Sequence, residues 1–528
     1  MGQPGARQRF YSNHTMEVQV DTSTLALETS SVVPTPLARH ASPRSVVRLS
    51  IWVFAAFQFF YMLTSTGRAR TADEYNMFYM TESLVLRGST AIPQAVALHN
   101  FYGKIDLQGE PRAAYPPGQA IVCTPWYALG DYVLSRLPGV PAEIKDLVFC
   151  FSTCLSSATF SALVVAFFFA LLNGIGVPTR AALFAAALLG LATPVFGYSG
   201  WLFSEPLSAA IFMGVVLLAF GGSRKPISMR TAAIAGVILG LATWVRPTNV
   251  FAIAIFAVAV LFRDGKPAWR SALVLCACAA AGVAALLSRD LLLFGNPFDF
   301  GYPKIAGGVS TDVRFDTPLL TGLYGFLFSP GKSVFLFAPP LVLAIAGLRR
   351  LWRLDRGVAA LAILFPFVYL CFFVRYSSWE GGYCVGPRYL VPSIAILCLG
   401  LGPALAAGTG MVKRLAGLLL AIGVTVQGIS LATSFLEDQA PARGHYYDTH
   451  WHYRLSYSLS GQVQLLWKYL RNGQPPTLGL GWDRWFVFLH NGKVSAVTLA
   501  FLAALMLAGL AISIVGIVRN MRSALKPV

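Results

Sequence analysis

The chain has 528 residues, of which 56% are hydrophobic and only 12% charged, about half the charged share of a soluble globular protein. That excludes an ordinary soluble enzyme, because apolar runs of about 20 residues, enough to span a bilayer, recur from Ile51 almost to the C-terminus. The net charge of +18 sits in short Arg and Lys clusters between those runs rather than in a basic stripe interleaved with aromatics, which excludes a nucleic-acid surface and reads as membrane topology.

Residues 1–48 are polar and rich in Ser, Thr and Pro, too weakly basic at the start for a signal peptide, and are expected to form a disordered cytoplasmic tail. The first span covers about 50–66; Arg39, Arg44 and Arg48 before it place the N-terminus inside. A long outer loop follows to about Lys145. Its apolar stretch from Gly118 to Leu137 is assigned to an amphipathic helix at the outer interface, because a crossing there would put Arg224, Lys225 and Arg230 outside. Further spans fall at about 147–172, 181–198, 203–221, 231–246, 248–262, 271–293, 326–347, 357–375, 389–408, 415–434 and 494–518, which makes about twelve. Every inside loop is then basic, from Arg180 to Arg519, Arg522 and Lys526. Of the 23 acids only Glu17, Asp21, Glu28, Asp264 and Asp355 fall inside. The fold class is an all-α polytopic membrane protein. Residues 49–435 form its catalytic module, 436–493 an outer aromatic-rich region, and 494–528 the last helix and tail.

Several polar residues interrupt this pattern. Asp73 and Glu74 stand just after the first span, where paired carboxylates near a low dielectric divide into a base and a hydrogen-bond or metal partner, or mark a helix start. Glu205, in WLFSEP, is close to hydrocarbon, as a functional acid or a helix-start residue beside Pro206. Arg246, Lys332 and Arg388 are outward cations at span ends, against the positive-inside trend. They suit a phosphate, or pair with Asp299, Asp316 or Glu380 as structural bridges. His445, His450 and His452 lack a zinc spacing, and the aromatics around them fit an interfacial belt or a sugar-stacking surface. Cys123 and Cys384 both fall outside, where a disulfide is an option.

The segments TADEYNMFYMTESLVLRG, AAYPPGQAIVCTPWYALG, WLFSEP, WVRPTN, LFGNPFDFGY, GLYGFLFSPGKSVFLFAPP and WEGGYCVGPRYLVP, in this order and sidedness, resemble the GT-C superfamily of polyprenyl-phosphate-sugar-dependent glycosyltransferases. Within it they are most similar to the protein O-mannosyltransferase and lipid A aminoarabinose transferase group. The resemblance covers about residues 50–435. It implies a GT-C-like bundle with juxtamembrane helices in the outer first loop, and inverting transfer of a sugar from a polyprenyl-phosphate donor to a lipid, glycan or protein hydroxyl outside a cell (inner) membrane. It makes Asp73 the base and gives Glu74 the task of orienting it or sharing a divalent metal with it. Glu205 becomes a substrate-side acid, Arg246 a contact to the lipid phosphate, and Tyr115 a substrate-binding position. Two departures stand out. The aminoarabinose group has a Lys where this chain has Pro116 and an Arg where it has Asn76. Phosphate neutralisation then falls to Arg112, Lys332 or Arg388, and aminoarabinose is disfavoured as the sugar.

Two other classes compete. A polyprenyl-diphosphate glycan polymerase or ligase would use Arg and His in 437–491. A transporter or flippase would carry ionisable residues at mid-membrane and duplicated broken helices.

Overall fold

Runs rich in Ala, Leu, Phe and Val carry few side chains that compete for backbone hydrogen bonds, and they fold as helices that satisfy their own peptide groups. The computed structural model describes residues 42–65, 67, 69–136, 139–222, 227–263, 268–302, 314–382, 384–433, 458–472 and 495–524, all within one compact unit, His40–Val528. In chain order these are α1 (Pro43–Thr64), α2 (Ala72–Arg87), α3 (Pro93–Ala97), a two-stranded antiparallel hairpin of β1 (Gly103–Ile105) and β2 (Pro111–Ala113), α4 (Gly118–Ser135), α5 (Ala142–Gly174) and α6 (Thr179–Leu191). Then come α7 (Pro194–Gly197), α8 (Ser204–Phe220), α9 (Met229–Ala242), α10 (Val250–Phe262), α11 (Trp269–Phe294), α12 (Leu319–Phe328), α13 (Val334–Phe337) and α14 (Leu341–Leu354). The last are α15 (Arg356–Phe373), α16 (Val391–Leu397), α17 (Leu401–Ala406), α18 (Gly410–Ala432), α19 (Leu459–Asn472) and α20 (Ala496–Ala524).

Among the described residues, seven helical segments are long and apolar enough to cross a membrane, and five more apolar helices have 10–17 residues. The chain is an all-α, multi-pass membrane protein. The expected span 326–347 is not one helix. Pro330 and Gly331 stop α12, Pro339 and Pro340 separate α13 from α14, and α14 ends in Arg349, Arg350 and Arg353. Helix α1 starts at Pro43, earlier than expected, because Ser42 caps it. Residues 1–41 and most of 436–493, with the three histidines, lie outside the described residues. Cys123 and Cys384 are both free: the Cys123 thiol bonds Ser156 Oγ at 3.3 Å and the Cys384 sulfur lies 3.3 Å from Lys332 Nζ.

The core is aromatic and aliphatic. Helices α5, α8, α10 and α15 meet through Phe168, Phe212, Phe256 and Phe365, all fully buried, with the Phe212 and Phe365 rings 5.1 Å apart. Small residues let backbones approach elsewhere. A Cβ on Gly240 of α9 would lie 2.5 Å from the Ala279 carbonyl oxygen of α11, so these helices touch backbone to backbone. The bundle has two unlike ends. At one, Arg263 donates to the Ala219 carbonyl of α8 and lies 3.8 Å from Asp355, which caps α15 through the Val358 N–H. At the other, the starts of α2 and α8 meet the segments after α9 and before α16.

Candidate active site

At that second end, helix α2 begins with a capping box. Thr71 Oγ1 accepts from the Glu74 N–H, and Glu74 Oε2 accepts from the Thr71 N–H at 3.2 Å. The cap is therefore Thr71, and Asp73, in the first turn, has no capping task. Glu74 is fully buried; Oε2 also accepts from the Arg70 N–H at 3.0 Å, and Oε1 from the Leu202 N–H at 2.9 Å. Burial pushes its carboxyl above the usual range, against the pull of these N–H donors and of Arg70. The Leu202 carbonyl in turn accepts from Gln119 Nε2 at 3.1 Å. Both peptide groups of Leu202 are thus fixed by first-loop side chains, just ahead of α8.

Glu205 follows in the first turn of α8, where a carboxylate suits the helix N-terminus. Its Oε1 accepts from two arginines, Arg246 Nη1 at 2.5 Å and Arg388 Nε at 2.9 Å. Arg388 Nη1 reaches on to Asp73 Oδ2 at 2.8 Å. Asp73, Arg388, Glu205 and Arg246 therefore form one chain of opposite charges. Its outer members are reachable, with 27% of the Asp73 side chain and 20% of the Arg246 side chain exposed, while Arg388 at 9% and Glu205 at 1% are buried. The loop before Arg388 turns through Gly381, Gly382 and Gly386 at φ of +85°, +69° and +64°, a conformation that favours glycine. The Gly381 carbonyl accepts from Arg388 Nη1 at 3.3 Å.

Aromatic rings sheathe the cations. The Arg388 guanidinium lies 3.7 Å from the Phe203 ring centre, and that of Arg246 4.6 Å from Tyr389 and 5.6 Å from Phe373. Tyr102, Tyr115 and Tyr302 cluster beside Asp73, with centroids 6.1 Å apart from Tyr115 to each of the others. Burial, then the Asp73 charge, raises the Tyr115 phenol well above its usual value. Tyr102 is raised too, by burial first. These phenols stay protonated and can donate hydrogen bonds. Asn76, at the position where the aminoarabinose group has an Arg, is buried; its amide donates to the Asn100 carbonyl and accepts from the Tyr102 N–H.

The structure brings together Asp73, Glu205, Arg246, Arg388 and, at one side, Tyr115. Two other singled-out cations have different partners. Lys332 is buried and donates to the Cys384 carbonyl at 2.7 Å. Arg112, on β2, holds Asp106 at 2.7 Å and Thr90 Oγ1 at 2.7 Å. Burial works to raise the Asp106 carboxyl, but Arg112 and the Glu110 and Gln108 N–H groups outweigh it and hold it low. Of the alternative bridge partners Asp299, Asp316 and Glu380, none pairs with either site arginine, both of which bond Glu205, and Asp299 pairs with Lys104 at 2.6 Å. Both Glu74 oxygens accept from protein N–H groups, and among the described residues no three His, Cys, Asp or Glu side chains converge. Tyr102, Tyr302, Tyr389 and Phe203 escaped the sequence reading. The one signal for the last three is their place inside LFGNPFDFGY, WEGGYCVGPRYLVP and WLFSEP, motifs already quoted, whereas Tyr102 lies outside all of the quoted segments.

No protein-family model matches the chain, and no curated protein matches it. Among solved structures, ArnT from Cupriavidus metallidurans in the apo state is similar at 14% identity, over 88% of this chain and 76% of that one, with a TM-score of 0.47. ArnT from Cupriavidus metallidurans bound to undecaprenyl phosphate is similar at 16% identity, over 89% and 76%, with a TM-score of 0.44.

Proposed function

We propose that this chain is an integral-membrane glycosyltransferase of GT-C type, transferring a sugar from a polyprenyl-phosphate donor to an acceptor hydroxyl of a lipid, glycan or protein. The single observation that carries this reading is two partly exposed side chains of opposite charge, Asp73 and Arg246, held together through buried Arg388 and Glu205 at one end of a helix bundle. By the basic-loop pattern this is the outer end, facing the periplasm or exterior of a cell membrane.

Such a pair divides the labour of glycosyl transfer. Asp73 accepts the acceptor hydroxyl proton as that oxygen attacks the anomeric carbon, and the bond from carbon to phosphate oxygen breaks with its electron pair leaving on the phosphate. Arg246 balances the departing charge. Attack opposite the phosphate inverts the anomeric centre, and the tyrosine phenols supply hydrogen bonds to sugar hydroxyls. The polyprenyl tail stays in lipid, which makes a nucleotide-binding domain unnecessary. In the transporter reading ionisable residues would stand at mid-membrane, whereas these four stand at helix ends.

The test is sugar transfer from synthetic polyprenyl-phosphate donors by purified protein in detergent, together with identification of the lipid-linked sugar that accumulates in cells lacking it. Transfer that depends on Asp73 supports the reading. Wild-type protein that transfers nothing from any such donor, with no lipid-linked sugar accumulating, overturns it.

A further inference from the structure

We propose that Glu205 is a positioning residue that couples donor binding to release of the base, an inference that rests on the transferase reading. The four charged side chains are balanced two against two, and Asp73 is paired to Arg388. While that contact stands, Asp73 Oδ2 is occupied by the Arg388 N–H and is not open to an acceptor hydroxyl. The donor phosphate brings a further negative charge, and Arg246 is the arginine it can reach.

What happens next is written in the unused atoms of the buried pair. Glu205 Oε2 is buried and has no hydrogen-bond partner among the described residues. Arg388 engages Glu205 through Nε alone and spends Nη1 on Asp73 and the Gly381 carbonyl. A guanidinium and a carboxylate prefer two parallel hydrogen bonds, and here one of the two is missing. When phosphate draws Arg246 away, Glu205 loses one of its two cations, and its remaining charge pulls on Arg388. Arg388 closes the second hydrogen bond onto Oε2 and loosens its hold on Asp73. The donor thus frees the base, and acceptor chemistry follows donor binding. No covalent step is involved, only an exchange of ion-pair partners.

The experiment measures binding of a polyprenyl phosphate without sugar, and separately kcat and KM for a synthetic polyprenyl-phosphate-sugar donor, in wild-type protein and Glu205→Gln. The amide removes the charge that competes with phosphate, so Kd is expected to fall about 3- to 10-fold. Arg388 then remains on Asp73, so kcat is expected to fall by about 10-fold or more. A residue that merely supports the fold would weaken binding and turnover together, and that result, or an unchanged Kd, overturns the proposal. Should Glu205→Gln not fold, Glu205→Asp serves: its shorter arm is expected to lower kcat by about 10-fold with Kd unchanged or lower, and a parallel loss of both overturns it. If wild-type protein transfers no sugar, the transferase reading fails by that result. The binding arm still tests the competition between Glu205 and phosphate.

Discussion

Asp73 and Arg388 lie 315 positions apart in the chain and meet at 2.8 Å, Oδ2 to Nη1. The contact ties the first loop to the segment before α16, so the carboxylate proposed as base is placed by a distant stretch of the chain as much as by its own helix. Arg388 also bonds Glu205, which makes it, among the described residues, the side chain that bridges both acids.

Replacing Asp73 with Asn keeps the size and one acceptor oxygen for Arg388 but removes the proton acceptor. Turnover is expected to fall by about 10²- to 10⁴-fold. Because the ion pair is partly exposed, stability should change by no more than about 1 kcal/mol. Sugar-transfer assays and thermal unfolding of the same preparation check both; full turnover in the variant removes Asp73 from the chemistry.

Arg388→Lys should not rescue Arg388→Ala. A single ammonium cannot present two separated donors to Asp73 and Glu205 as the guanidinium does. In Arg388→Ala, buried Glu205 keeps Arg246 alone, and breaking such a buried pair costs about 3–5 kcal/mol. Turnover in Arg388→Lys close to wild type would show that charge alone suffices.

Glu74→Ala separates support from chemistry. It leaves the N–H groups of Arg70, Thr71 and Leu202 without their acceptor, at about 1–3 kcal/mol for each buried one. The starts of α2 and α8 should shift with it. Stability and activity are expected to fall together, unlike the Asp73→Asn pattern; unchanged unfolding with lost activity would instead assign Glu74 a direct chemical part.

Gly118→Ala tests the joint between first loop and bundle. The Gly118 N–H donates to the Trp244 carbonyl at 2.8 Å, and a Cβ there would lie 2.5 Å from the Trp244 carbonyl carbon. Helix α4 must move away from the segment that carries Arg246. Donor KM should rise severalfold in transfer assays, while an unaltered KM would mean that the joint does not position Arg246.

Glu380, in the loop before Arg388, has its carboxyl pushed up to about 7 by burial, with its own backbone N–H and then Lys332 opposing. Folding therefore favours its protonated form. That stabilisation is complete below the ordinary carboxyl range and is lost as pH rises through about 7. Wild-type protein should melt several degrees lower at about pH 8.5 than at about pH 5.5, and Glu380→Gln should flatten part of that slope. Identical slopes in both proteins would place the dependence elsewhere.

The helical, membrane-spanning architecture was legible because apolar length is a direct reading of bilayer thickness. The break at Pro330–Gly331 and Pro339–Pro340 was legible too, yet continuous hydropathy over 326–347 masked it. Asp73, Glu205, Arg246 and Arg388 stood out because charge is costly beside hydrocarbon. Lys332 gave the same signal, but its acceptor is a backbone carbonyl, and sequence does not distinguish a carbonyl partner from a carboxylate. Glu74 was read with Asp73 as one pair, although Thr71 three positions ahead of it spells a capping box. The tyrosines around Asp73 were hidden because aromatics crowd every membrane interface.

Arginines borrowed from other segments grip α8 at both ends: Arg246 and Arg388 through Glu205 in its first turn, and Arg263 through the Ala219 carbonyl in its last. A helix of 17 residues measures about 25 Å, and one so held can neither slide along its axis nor tilt on its own. When the surrounding bilayer thickens or thins, the adjustment falls to helices on the lipid boundary such as α11 and α20. The distance from the Glu205 end of α8 to the opposite end is a property of the protein, which carries its own ruler from one membrane to another.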